Sequence, residues 1–321
     1  MAPDTSNWCH YRRFEIRCGP PSSSGRLKVS LVSGDVREMH RRAEYAGALF
    51  QVASQFNLLE MVGPDRTPED GVTIYRHDRT QGPACAMAAG AATIYRNYFA
   101  AVGGQSGQTR ERQLDTLADL GIALSERLTM QAGELWTMKN GYALCSGSGL
   151  EAIAGLLERS TSDDIDRLRG RLRTGLHHDV EVTDAAQPYP VVSQAFCSAL
   201  PVAYSQVCPQ RWSRFAALVL EAAYEATLWA AVLNARRGSS KIVLLTSLGG
   251  GAFGNDESWI EGALTRALQL ASNFDLDVKL ASYGRSSAML RNCSDVVLTR
   301  GFPAMERDET ERQPALRRSP C

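Results

Sequence analysis

The sequence predicts an α/β fold on a mostly parallel sheet flanked by helices, and three observations carry that expectation. KIVLLTS, residues 241–247, is a continuous apolar, β-branched run of the kind buried on both faces of a parallel sheet. A glycine-rich stretch and the amphipathic DESWIEGALTRALQLASN follow it. LDVKLASYG then reads as a second strand. Strand, glycine loop, helix and strand form a βαβ unit, which places its helix on a face of the sheet.

The remaining elements follow in chain order. Residues 1–26, with GPPSSSG, read as a flexible arm. RLKVSLVSGDV predicts a strand ending at Gly34–Asp35, and ALFQVASQFN predicts another. After the turn-rich VGPDRTPEDG, PACAMAAGAATIYRNYF predicts one buried helix starting near Pro83, since proline suits a first helical turn. Residues 109–132 have a helical pattern, and Asn140–Gly141 within LWTMKNGYALC signals a hairpin between two short strands. LEAIAGLLERS is a short amphipathic helix, and DDIDRLRGRLR is an exposed segment. DVEVTD and PVVSQAFCSALPVAYS are strand-like, and WSRFAALVLEAAYEATLWAAVLNARR predicts a long helix. From residue 299 to 321 the chain is polar and aperiodic, the pattern of a flexible tail. The expected organisation is one domain over 27–298, with residues 100–185 as an insertion or a diverged portion.

Composition narrows the function. The 321 residues carry 35 basic and 35 acidic side chains, so neither nucleic acid nor an anionic lipid surface is expected as a generic partner. The most apolar stretch, residues 215–233, has the length of a membrane span but carries Glu221 and Glu225, which predicts a buried core helix and no membrane partner. The N-terminus lacks a continuous apolar run, so the expectation is a cytoplasmic protein, most simply a monomer. Eight cysteines without a CxxC pair and five histidines without ligand spacing predict free thiols and no metal site.

The chemistry points to LTSLGGGAFGND, residues 245–256. Three glycines at the carboxyl end of a buried strand let a ligand approach the backbone, and the amides before the next helix attract an anion, phosphate above all. Asn255 or Asp256 is placed to cap that helix. Phe253 either stacks on a sugar or base or tucks into the core. The loop lacks the GK[ST] ending of nucleotide triphosphatases, and it does not open the first βαβ unit as GxGxxG does.

GGGAFGND resembles the diphosphate-binding loop of macrodomains, in particular the GAFG loop of poly(ADP-ribose) glycohydrolases. SGDVRE (33–38), FQVASQFNLLEM (50–61) and LASYG (280–284) are similar to further macrodomain segments in the same order. The resemblance implies a macrodomain-like sheet and an ADP-ribose pocket with no cofactor. In it Asp35, with Val36, meets the adenine, Asn57 the distal ribose and Tyr283 the adenine face. The loop Gly249, Gly250, Gly251, Ala252, Phe253, Gly254 and Asn255 would hold the diphosphate. Asp35 equally suits a strand-end turn, and Tyr283 a core position. Thr80–Gln81–Gly82 stands where the family carries a glycine-rich loop, and the family's Gln-Glu-Glu run is absent.

Cleavage at ribose C1″ needs a carboxylate or amide beside the anomeric carbon and a positioned water. Asp78, Gln81 and Asn57 are the expected catalytic group, with Glu60 and Asp256 as further candidates. Each has a bland alternative: Asp78 held by Arg79 or a turn, Gln81 a helix-start polar residue, Glu60 facing solvent. The implied function is hydrolysis of mono-ADP-ribose from a modified protein side chain, the partners being ADP-ribose and the ADP-ribosylated protein. The alternatives are an ADP-ribose reader without catalysis and an unrelated nucleotide- or sugar-phosphate-binding enzyme.

Overall fold

The computed structural model describes residues 26–284 and 288–299, together with the pair Cys9–His10. In chain order the elements are β1 (Cys9–His10), β2 (Lys28–Ser33), α1 (Val36–Arg41), β3 (Leu49–Ala53), α2 (Gln81–Ala88) and α3 (Gly90–Tyr98). Then come a small hairpin of β4 (Ala101–Val102) and β5 (Gln105–Ser106), α4 (Ala118–Leu128), α5 (Ala132–Leu135) and a second hairpin of β6 (Trp136–Lys139) and β7 (Tyr142–Cys145). The chain continues through α6 (Gly147–Arg159), α7 (Ser162–Arg169), β8 (Arg173–Glu181) and β9 (Val191–Cys197). It ends with α8 (Ser213–Arg236), β10 (Ile242–Leu245), α9 (Glu257–Leu270), β11 (Asp277–Ser282) and α10 (Ala288–Thr299).

The main sheet runs β1-β8-β9-β3-β10-β11-β2. Neighbours from β9 to β2 are parallel, and β8 is antiparallel to both β9 and β1. The α/β expectation and its βαβ unit are met: β10 and β11 pair in parallel across α9. Helices cover both faces, and β3 divides its side chains between them. Leu49 joins the α8 core and Gln51 bonds Thr227 of α8 at 3.1 Å, while Phe50 and Val52 pack with Met39, Ala88 and Cys85 of α1 and α2.

The long apolar helix α8 is the centre of the core. It lies against β3, β8, β9 and β10 on one side and α6, α7 and α9 on the other, so it is apolar around most of its circumference. A fully buried leucine or phenylalanine contributes about 1.5–3 kcal/mol here. Its two mid-helix carboxylates are compensated: Glu221 by Arg169 at 2.6 Å, and the fully buried Glu225 by Arg266 of α9.

Three segments depart from expectation. The helix expected from Pro83 starts at Gln81 and breaks at Ala89 (φ −112°, ψ 61°) into α2 and α3. Small residues put up little resistance to the break, and the Thr93 hydroxyl donates to the Ala86 and Ala89 carbonyls at 2.9 and 3.2 Å. Strand β9 ends at Cys197, where Pro201 leads into a 3₁₀ turn, Val202–Tyr204. Within the expected arm, Cys9–His10 pairs with β8 at the sheet edge. Residues 100–185, expected as an insertion or diverged portion within the domain, contribute β8 to the main sheet and a β6–β7 hairpin that packs beside the β3 turn. The expected tail beyond residue 299 lies outside the described residues.

Candidate ligand cleft

An open cleft lies at the carboxyl ends of β3, β9 and β10. Ala53, Ser54 and Gln55 line it from β3, Ala199 from β9, and Thr246, Ser247 and Leu248 from β10. This is where parallel sheets of this kind bind ligands.

The glycine loop forms one wall through Gly249, Gly251, Ala252 and Phe253. Glycine is required at 249, where φ is +75° and a Cβ would stand 2.5 Å from the Ala199 Cβ. Asn255 is buried and donates to the Leu200 and Gly249 carbonyls at 2.8 and 3.3 Å, which fixes the loop's second half. The stem is tied to the core: the Tyr224 hydroxyl of α8 donates to the Thr246 carbonyl at 2.7 Å and accepts from the Leu248 amide at 2.9 Å. Asp256 caps α9 through the Ser258 amide at 2.8 Å. The amides of Gly251, Ala252 and Phe253 donate to no protein acceptor among the described residues. Three consecutive unspent donors ahead of a helix start are suited to an anion.

Phe253 is half-buried against two tyrosines, with ring centroids 5.3 Å from Tyr142 and 5.7 Å from Tyr204. Tyr142 comes from β7, directly after the Asn140–Gly141 turn, and its hydroxyl donates to the Met61 carbonyl at 2.8 Å. Both tyrosines line the cleft and were absent from the sequence reading. The hairpin turn was legible there, but nothing in the sequence relates residue 142 to residue 253.

The opposite wall is Asp78, Thr80, Gln81, Gly82 and Pro83 at the start of α2. The Asp78 carboxylate accepts from both the Thr80 amide and hydroxyl, at 2.8 and 2.6 Å, so it holds the turn into the helix. Gln81 accepts from the Ala53 amide at 2.8 Å and donates to the Gln51 carbonyl at 2.7 Å, extending the edge of β3. Gly82 is needed because a Cβ there would stand 1.9 Å from the Ala53 carbonyl oxygen.

Other expected residues stand apart from the cleft. Asn57 is fully buried, with its amide donating to Gln113 at 2.8 Å and accepting from the Leu59 amide at 3.0 Å. It shapes the tight turn after β3, where Leu58 is left-handed (φ 63°). Asp35 caps α1 through the Arg37 amide at 2.8 Å, and Val36 packs into the core behind it. Tyr283 is 87% exposed at the end of β11. Gly250, Gly254 and Asn255 shape the glycine loop from behind its cleft-facing residues.

Glu60 is neither solvent-facing nor set apart. It is fully buried, lines the cleft, and accepts from the Arg96 guanidinium at 2.8 Å through Oε1. Burial pushes its carboxyl up to about 7, with Arg96 pulling the other way.

Sheet and cleft together define an α/β protein with an opening at its strand ends, walled by a glycine loop and containing a buried carboxyl. In overall structure the chain is similar to poly(ADP-ribose) glycohydrolase from Deinococcus radiodurans in complex with ADP-ribose. The TM-score is 0.47 at 12% identity, covering 93% of this chain and 98% of that one. It is also similar to the Thermomonospora curvata poly(ADP-ribose) glycohydrolase, with a TM-score of 0.46 at 12% identity over 90% and 84% of the two chains. The apo form of the Deinococcus radiodurans protein gives a TM-score of 0.41 at 12% identity, over 93% and 96%. No family model and no curated protein sequence matches the chain.

Proposed function

We propose that the cleft binds ADP-ribose and that the protein hydrolyses the C1″ glycosidic bond joining mono-ADP-ribose to a protein side chain. The observation that carries the reading is the row of free amides at Gly251, Ala252 and Phe253 in the cleft wall, a receptor for a diphosphate. The GGGAFGND motif and its order relative to the other macrodomain-like segments support the same ligand. The aromatic cluster around Phe253 supplies apolar faces for a sugar or base.

Gly251 offers a clean test, because a Cβ there meets nothing within 4 Å among the described residues and the backbone is not left-handed. Gly251→Glu places a negative charge beside the amides without disturbing the fold. Calorimetric titration with ADP-ribose is expected to give saturable binding in the wild type, weakened about 100-fold or more in the variant at unchanged Tm. A folded wild type that does not bind ADP-ribose removes the reading.

Binding without cleavage is the competing reading, and one observation favours it. The three residues expected to be catalytic have structural duties: Asp78 and Gln81 hold the start of α2, and Asn57 holds a turn outside the cleft lining. Release of ADP-ribose from Ser-, Thr-, Arg- or Glu-linked substrates separates the two readings.

A further inference from the structure

Glu60 owes its position to the turn after β3. The Leu58 amide donates to the Gln55 carbonyl at 2.8 Å and the Gln55 amide to the Leu59 carbonyl at 2.9 Å, which turns the chain back with Glu60 against the cleft. The Glu60 amide donates to the Tyr75 hydroxyl at 3.1 Å. Gly82 leaves room for the side-chain stem, since a Cβ there would stand 3.1 Å from the Glu60 Cγ.

Arg96 of α3 holds the carboxyl from behind. Besides its 2.8 Å contact to Oε1, its Nε donates to the Leu58 carbonyl at 3.0 Å, and its guanidinium lies 3.9 Å over the Phe196 ring. The pair leaves two polar atoms over. Glu60 Oε2 and Arg96 Nη1 are both buried and have no hydrogen-bond partner among the described residues. A buried ion pair offsets its desolvation only when the remaining donors and acceptors are also satisfied. This one is therefore poorly built as a stabilising contact. An incompletely satisfied carboxyl buried at the wall of an open cleft has the character of a reactive group.

We propose that Glu60 is the catalytic carboxyl of the cleft and that Arg96 is its positioning residue, fixing Oε1 so that Oε2 is the atom that exchanges a proton. The assignment rests on the hydrolase reading above. In the reaction a water oxygen bonds to C1″ while the bond from C1″ to the side-chain atom breaks, its electron pair leaving with that atom. Oε2 accepts the proton the water loses, and that proton is returned to the leaving atom or to solvent. The products are ADP-ribose with a C1″ hydroxyl and the unmodified side chain; one water is consumed. A carboxyl that titrates near neutrality suits this exchange. The other ionisable groups that bear on it are Arg96 from α3, Tyr75 from the preceding 3₁₀ turn and Cys85 from α2, with His177 of β8 beyond Arg96.

The test compares the wild type with Glu60→Gln, Arg96→Met and Arg96→Lys in ADP-ribose binding, single-turnover hydrolysis and its pH profile. Glu60→Gln is expected to keep ADP-ribose affinity within about threefold and to lose about 10²–10⁴-fold in turnover. Arg96→Met removes the cation that favours the ionised carboxyl. The limb of the pH profile that belongs to Glu60 then moves upward by about one unit or more, and Arg96→Lys restores part of that shift. In wild-type protein carrying 13C-labelled glutamate carboxyls, the resonance missing from Glu60→Gln is expected to titrate near 7. This readout needs neither substrate nor a stable Arg96 variant. Glu60→Gln turning over within about threefold of wild type, or a Glu60 carboxyl titrating in the ordinary range near 4, overturns the assignment and leaves the hydrolase reading standing. An Arg96→Met enzyme that is slower with an unmoved pH limb overturns the role of Arg96. A wild type that binds ADP-ribose but cleaves no linkage removes the hydrolase reading, and the catalytic role with it.

Discussion

His40 shows how one buried side chain sets the acid sensitivity of the fold. It stacks on Phe50 at 3.7 Å, with Nδ1 2.7 Å from the Val36 carbonyl and Nε2 3.2 Å from the Gln194 amide nitrogen. The carbonyl requires the proton on Nδ1, and the Gln194 amide, which can only donate, leaves Nε2 without one, so the ring is neutral. Burial pulls its pKa from 6.5 down to about 4, because charging the ring would place a cation away from water. Between those values the unfolded chain binds more protons than the folded one. Stability from this site is therefore complete above pH 6.5 and lost as pH falls through 4. His40→Gln is expected to flatten that dependence when Tm is followed from pH 7 to pH 4. An unchanged slope would assign the acid sensitivity to His177, which burial lowers to about 3. The residue scale is also where the sequence was least legible. In NLLEM, Glu60 reads more simply as facing solvent than a cleft, and the guanidinium that decides its environment lies 36 residues away in α3. Asn57, by contrast, stands in a recognisable motif and still spends its amide on a local turn.

Elements were read best where periodicity and turn chemistry agree. The buried run of β10, the capped α9 and the Asn140–Gly141 hairpin each have a local cause, and each is present. The break at Ala89 was not legible, because a run of alanines is as compatible with one helix as with two, and the arbiter is a threonine four residues on. The hairpin turn reaches beyond its own strands. Gly141 is left-handed (φ +80°), and a Cβ there would stand 2.6 Å from the Asn57 side chain and 2.7 Å from Gln55. Gly141→Ala is therefore expected to destabilise the protein by about 1–3 kcal/mol in urea denaturation. The same change should weaken ligand binding, because Tyr142 follows the turn directly and forms part of the cleft wall. Lost stability with unchanged affinity would separate the hairpin from the site.

The molecule as a whole joins segments that look separate in the sequence. Residues 100–185 have no motif in common with the flanking regions, yet Trp136 of β6 stacks on Phe215 of α8 at 5.6 Å, and β8 is hydrogen-bonded to β9 in the sheet. A shared core implies shared cooperativity. Urea unfolding followed by tryptophan fluorescence is expected to show one transition. A variant whose one remaining tryptophan is Trp136 should have the same midpoint as one whose one remaining tryptophan is Trp229, the other four being phenylalanine in each, once each is corrected for its own stability. Two resolved midpoints would make the middle an autonomous unit. Long-range placement of this kind is not encoded in any local pattern, which is why the sequence shows how the βαβ unit is built but not how residues 100–185 join the sheet. The Tyr224 hydroxyl, clasping both Thr246 and Leu248 from the core helix, has a further consequence. A loop hinged on solvent adapts its curvature to whatever enters, whereas this one takes its curvature from the packing of the interior. On the reading proposed above, it would act as a gauge of fixed span: an anion whose charges match the spacing of its amides would be accepted as it arrives, and one that does not match would find no give.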